Sequence, residues 1–145
     1  MDDDVQKAVE AHTKPERATE GGLSEAEEAN RYNTLGITQA TQNMLPQAIV
    51  TFSKAIEIDP KDPRVYANRA FAYEGKGQYA RAIADFTKAL EMNPKDADTY
   101  NNRALSYYYN KQYDKALDDV GKAQSLGYRV DPAFVEALRA ASGNK

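Results

Sequence analysis

Two clusters of residue types could do chemistry: the adjacent carboxylates Asp118 and Asp119, and the run of three rings Tyr107, Tyr108 and Tyr109. Paired acids can exchange protons with a substrate. These two, however, sit mid-helix between apolar positions, where both read as a solvated face rather than an acid/base pair. The single histidine, His12, lies in a charged, polar segment without neighbouring ligands and reads as a surface side chain. The chain has no cysteine, which excludes disulfides, thiolate zinc sites and cysteine nucleophiles. It also shows no glycine-rich phosphate loop, no His/Cys/carboxylate cluster and no partnered nucleophile. The sequence reads as non-catalytic, with no cofactor or metal.

The tyrosines point to binding instead. Consecutive helical residues are about 100° apart, so three adjacent rings cannot share one core, and on a strand Tyr108 would oppose the other two. At least one ring therefore faces something else. What it faces depends on the elements that carry it.

Charge narrows the partner. Residues 1–22 hold six acids against three bases, the whole of the net −3, and the other 16 acids and 16 bases balance. No basic face is implied, so phosphate-driven nucleic-acid binding is not expected. Apolar runs fall far short of the ~20 residues that span a bilayer. The start, with Asp2, Asp3 and Asp4, lacks a signal peptide's basic and apolar regions. The chain reads as soluble and cytoplasmic without membrane insertion, though a leader trimmed beforehand would leave no trace. Residues 1–22, charged and ending in Gly21-Gly22, read as a flexible acidic tail.

Beyond that tail the sequence repeats. Ala48–Asp62 and Ala82–Asp96 share nine of fifteen residues at an offset of 34, and a weaker copy starts at Ala116. The segments beginning at Tyr32, Tyr66 and Tyr100 recur at the same offset. Within a unit the apolar spacing is helical: Tyr66, Ala70 and Tyr73 form one stripe, and Ala82, Ile83, Phe86, Ala89 and Leu90 another. Glu74–Gln78 breaks the unit and Asn93–Asp96 ends it. Ser24 with Glu27 forms a capping box, while Asp62-Pro63 and Asp131-Pro132 read as N-caps with proline in the first turn. Each unit is a helix–turn–helix hairpin. Phe86 is expected in the packed seam and Asp85 beside it on the exposed side.

These units resemble tetratricopeptide repeats (TPRs). The family's aromatic, small and proline places are matched by Tyr32, Gly36, Ala48, Phe52, Ala55 and Pro60, then by Tyr66, Ala70, Tyr73, Ala82, Phe86, Ala89 and Pro94. The third copy supplies Tyr100, Ala104, Tyr107, Ala116 and Ala123 but departs at Val120 and Tyr128, and the first departs at Gln39. The resemblance implies an all-α, right-handed superhelix of repeats 23–62, 63–96 and 97–130. Residues 131–145 would supply a capping helix with Phe134, Ala137 and Leu138 on its packed side.

The resemblance also implies a groove lined by the first helix of each hairpin. Its places fall on Asn30, Asn33, Ile37, Ala40 and Thr41, then on Arg64, Ala67, Asn68, Phe71, Glu74 and Gly75. The third hairpin contributes Asp98, Asn101, Asn102, Leu105, Tyr108 and Tyr109. Tyr107 is assigned to the core, and Tyr108 and Tyr109 to an apolar floor with Phe71, Leu105 and Ile37, edged by asparagines. Such a floor suits a protein or peptide ligand, either a peptide segment or a partner helix. The alternative is self-association, with the groove taking a neighbouring copy or the chain's own tail through Val5 and Val9. The family's clamp for carboxylate-ended chaperone tails is not expected. Its places hold Asn33, Ile37, Asn68, Asp98 and Asn102, of which only Asn68 matches, and Asp98 would repel a carboxylate.

Overall fold

Capping chemistry sets where the helices begin. In the computed structural model, which describes residues 22–143, Ser24 Oγ accepts the Glu27 amide at 3.2 Å and Glu27 Oε2 accepts the Ser24 amide at 2.9 Å. This capping box opens α1 (Glu25–Thr41). Asp62 caps α3 (Pro63–Gly75), Asp96 caps α5 (Ala97–Tyr109) and Asp131 caps α7 (Pro132–Ser142), each through its carboxylate. Between them lie α2 (Leu45–Ile58), α4 (Tyr79–Met92) and α6 (Tyr113–Ser125). Among the described residues there is no strand. The reading of residues 1–22 as a tail, with His12, Val5 and Val9, falls on residues outside the described ones save Gly22.

The turn inside each hairpin repeats to the residue. Asn43, Gly77 and Lys111, spaced by 34, all adopt φ between 60° and 71°. The following amides, of Met44, Gln78 and Gln112, bond at 2.9 Å to the carbonyls of Gln39, Tyr73 and Tyr107. Asparagine and glycine tolerate this left-handed geometry readily, lysine less so. Hairpins α1–α2, α3–α4 and α5–α6 pack in sequence order as an α-solenoid, and α7 closes the last one.

Small residues let the helices approach. Ala48, Ala82 and Ala116 are fully buried, as are Ala70 and Ala104. Gly36 occupies the corresponding place in α1, where a methyl group would fall 2.5 Å from the ring of Phe52. Phe52 and Phe86 then fill the seams at 1% and 0% exposure.

A polar joint ties one hairpin to the next. Arg69 donates to both carboxylate oxygens of Asp85 at 2.7 and 2.8 Å, and to Ser53 Oγ of the preceding hairpin at 3.0 Å. Arg103 repeats this with Asp119, at 2.7 Å twice, and with Thr87 at 3.1 Å. Two tyrosine rings flank each guanidinium, Tyr66 and Tyr73 in one joint and Tyr100 and Tyr107 in the other, at 5.6–6.0 Å. The bidentate pairs hold both arginines above their ordinary pKa, against the opposing effect of burial.

Two sequence expectations are corrected here. Asp85 and Asp119 are buried, not solvated, because each answers an arginine one helix away that the period along a single helix does not reveal. In α7, Leu138 is fully buried and Phe134 and Val135 pack beside it, while Ala137 is exposed. The helix is rotated toward Val135 from the expected face.

Removing one partner of a buried pair strands the other. Asp85→Ala is therefore expected to cost about 3 kcal/mol or more, comparable with about 3–5 for Phe86→Ala. Glu91→Ala, exposed on the same helix, should stay within about 0.5 kcal/mol. Urea unfolding measures all three, and equal midpoints for Asp85→Ala and Glu91→Ala would remove the joint from the stability account.

Candidate functional site

Helices α1, α3 and α5 carry the residues assigned to the groove, and the structure gathers them unevenly. Ile37, Ala40, Asn68, Phe71 and Ala72, with Leu45 and Phe52 beneath, line a depression of about 290 Å³ between the first two hairpins. Phe71 is 47% exposed at this depression. Its ring meets the buried Phe86 edge-on at 5.3 Å, so the exposed aromatic is held from below. Asn33 is buried, and its Oδ1 accepts from Asn68 Nδ2 at 2.9 Å. Asn101 and Leu105 line a second depression of about 370 Å³, closed by Arg129, Val130 and Phe134 near the start of α7.

The charged members behave differently. Arg64 folds back on the cap of its own helix, with Nη2 at 2.7 Å from Asp62 Oδ2. That contact holds the Asp62 carboxyl below its usual range, the Arg64 hydrogen bond being the main cause. Asp98 is exposed in the first turn of α5, where the helix dipole favours it, and makes no ion pair among the described residues. Asn102 is half-buried.

The three adjacent tyrosines take three environments. Tyr107 is half-buried between Arg103 and Lys115. Tyr108 packs against Phe134 of α7 at 5.8 Å and Tyr113 at 5.7 Å, so it is tied to the closing helix. Tyr109 is 50% exposed and stacks on Tyr79 at 5.1 Å with planes 18° apart. Tyr108 and Tyr109 meet each other edge-on at 5.5 Å, so the two rings belong to one aromatic run from Tyr79 to Phe134.

Residue-type reasoning passed over one contact. Ser106 Oγ, wholly buried, donates to Glu74 Oε2 at 3.0 Å across the seam between α3 and α5. Burial pushes the Glu74 carboxyl up from its usual pKa, offset in part by the Ser106 bond. Glu74 makes no ion pair among the described residues. At the corresponding seam between α1 and α3 the two places hold Ala40 and Ala72. That paired exchange of alanines for Glu and Ser was the available sequence signal.

Profiles described as tetratricopeptide repeat match residues 63–96 and 86–118, and a TPR repeat profile matches 40–77. No curated protein is significantly similar in sequence. Among solved structures, the Arabidopsis OM64 TPR domain superposes with a TM-score of 0.75 at 23% identity, over 81% of this chain and 98% of its own. The second TPR domain of human RPAP3, solved with the HSP70 peptide SGPTIEEVD, gives 0.73 at 19% identity, over 82% and 98%. The TPR2B domain of yeast Sti1, in its pHsp70 complex, gives 0.68 at 28% identity, over 83% and 98%. No helix among the described residues is long and apolar enough to cross a membrane.

The Glu74 carboxylate yields a signed pH effect. Its folded-state pKa is raised, so the ionised form carries a burial cost at neutral pH that disappears as pH falls through the folded pKa. Glu74→Gln keeps an acceptor for Ser106 and should raise the melting temperature at pH 7. That advantage should shrink toward zero as pH falls through the ordinary carboxylate range. Melting curves at several pH values test it, and a pH-independent difference would contradict it.

Proposed function

The chain belongs to the tetratricopeptide-repeat family, and on that premise we propose that it is a non-catalytic protein-interaction scaffold. Its groove takes a peptide segment or a partner helix within a larger assembly. One observation carries the reading: Phe71 stands half-exposed over an apolar depression while Phe86 fixes its ring from beneath. An aromatic already ordered loses little entropy on binding, and such rings dominate interface energetics. Asn68 beside it, oriented by its bond to the buried Asn33, adds an amide for a ligand backbone.

The peptides solved with RPAP3 and Sti1 are ligands of those proteins, and the ligand here differs in chemistry. In this chain the places that would hold clamp cations carry Asn33, Asp98 and Asn102, and Arg64 is engaged by Asp62. A carboxylate-ended tail finds no ion partner among them. A second reading, self-association, draws on the first hairpin. Leu35 stands where Arg69 and Arg103 reach back to a preceding hairpin. It is 48% exposed and lines a depression of about 450 Å³ with Tyr32. A second copy could stack there.

Phe71→Ala should cost little stability, about 1 kcal/mol, because half the ring is already in water. It should weaken ligand capture by about 2 kcal/mol or more. Affinity capture from extract with the wild type and this variant checks the pair, and equal recovery would sink the groove reading. Sedimentation over a concentration series separates the alternatives. A monomer throughout supports an external ligand, and growth that Leu35→Glu abolishes supports stacking of copies.

A further inference from the structure

The chain builds the same receptor for an arginine twice. Around Arg69 stand a carboxylate (Asp85), a hydroxyl (Ser53) and the rings of Tyr66 and Tyr73. Around Arg103 the set is Asp119, Thr87, Tyr100 and Tyr107. A third collection of the same groups occurs at the seam between the second and third hairpins: the carboxylate of Glu74, the hydroxyl of Ser106, and Tyr79 stacked on Tyr109. Ser106 lies one turn before Tyr109 on α5, and Tyr79 follows Glu74 across the turn from α3 to α4. This collection has no arginine.

We infer that the Glu74–Tyr109 corner receives an arginine side chain from a bound peptide, a proposal that rests on the groove reading above. Three observations support it. Glu74 Oε2 is held by Ser106, while Oε1 has no partner among the described residues. A half-buried carboxylate without a cation is costly to keep, and a guanidinium would satisfy it bidentately. Tyr109 is 50% exposed, and its contacts with Tyr79 (stacked, 5.1 Å) and Tyr108 (edge-on, 5.5 Å) fix a ring whose exposed half can meet a guanidinium. The charge of the groove agrees: its assigned acids, Glu74 and Asp98, are unpaired among the described residues, and its one arginine is neutralised by Asp62. Lys76 and Lys111 are exposed nearby in the inter-helix turns, and neither contributes to the setting of Glu74.

Spacing fixes the ligand further. Phe71 lies three residues before Glu74 on α3, over the neighbouring seam. The two subsites are therefore roughly 5–10 Å apart, about two or three residues of extended chain. The ligand is a peptide with an apolar residue two or three positions from an arginine.

The test selects a random twelve-residue display library on the full chain, then measures the consensus peptide by fluorescence anisotropy. Arginine should be enriched two or three positions from an apolar residue. Changing that arginine to glutamine should weaken binding to the wild type at least tenfold, but less than twofold to Glu74→Gln, with folding of each variant verified by circular dichroism. Phe71→Ala should weaken both peptides alike. Binders that depend on Phe71 but lack a basic residue, or whose arginine preference survives Glu74→Gln, would overturn this inference and leave the groove reading standing. Binders indifferent to Phe71→Ala, or an empty selection, would overturn the groove reading and this inference with it.

Discussion

The arginine that reaches backward from one hairpin to the next is the interaction on which the arrangement depends. Arg69 and Arg103 each satisfy a buried carboxylate of their own hairpin and a hydroxyl of the one before, so each bond set spans a helix pair and a repeat boundary together. Apolar packing alone sets distance but specifies register loosely, because one methyl resembles another. A bidentate ion pair of 2.7–2.8 Å tolerates little sliding. The flanking tyrosines desolvate the guanidinium without opposing its charge.

That joint also explains the ends of the solenoid. Among the described residues no helix packs before the first hairpin, and Leu35 stands in the arginine place with Thr51 where the later hairpins have aspartate. Neither needs an ionic partner, so no buried charge is orphaned in this hairpin. At the other end α7 supplies Leu138, Phe134 and Val135 against the last hairpin, and Tyr108 is drawn into that contact. Tyr108 thereby links α7 to the exposed Tyr109, whose ring it meets edge-on at 5.5 Å.

What stays open on the inner face follows from the seams. Between the first two hairpins, Ala40 and Ala72 are too small to fill the space, which leaves a depression floored by Leu45 and Phe52 under Phe71. Between the second and third, larger and polar side chains fill the corresponding places, and the surface becomes a carboxylate beside stacked rings. Repeats of one pattern thus present two unlike surfaces through a few substitutions at equivalent places.

The sequence by itself determined the helices, their caps and their pairing. The 34-residue offset, the alternation of small and large apolar residues, and carboxylate or hydroxyl caps at Ser24, Asp62 and Asp131 are local properties, and local hydrogen bonds and helical phase are enough to read them. The groove places were assigned from the family resemblance, with helical phase giving the face that each position joins. Only the tertiary structure decided the fate of charges and of rings at seams. Asp85 and Asp119 read as solvated because their partners lie sixteen residues away on another helix. Tyr108 and Tyr109 looked equivalent, yet one packs on Phe134 of α7 and the other stacks on Tyr79. Glu74 looked ordinary until Ser106 met it from the next hairpin. In each case the deciding energy is a contact between helices, and helical phase reports which way a side chain points but not what waits there.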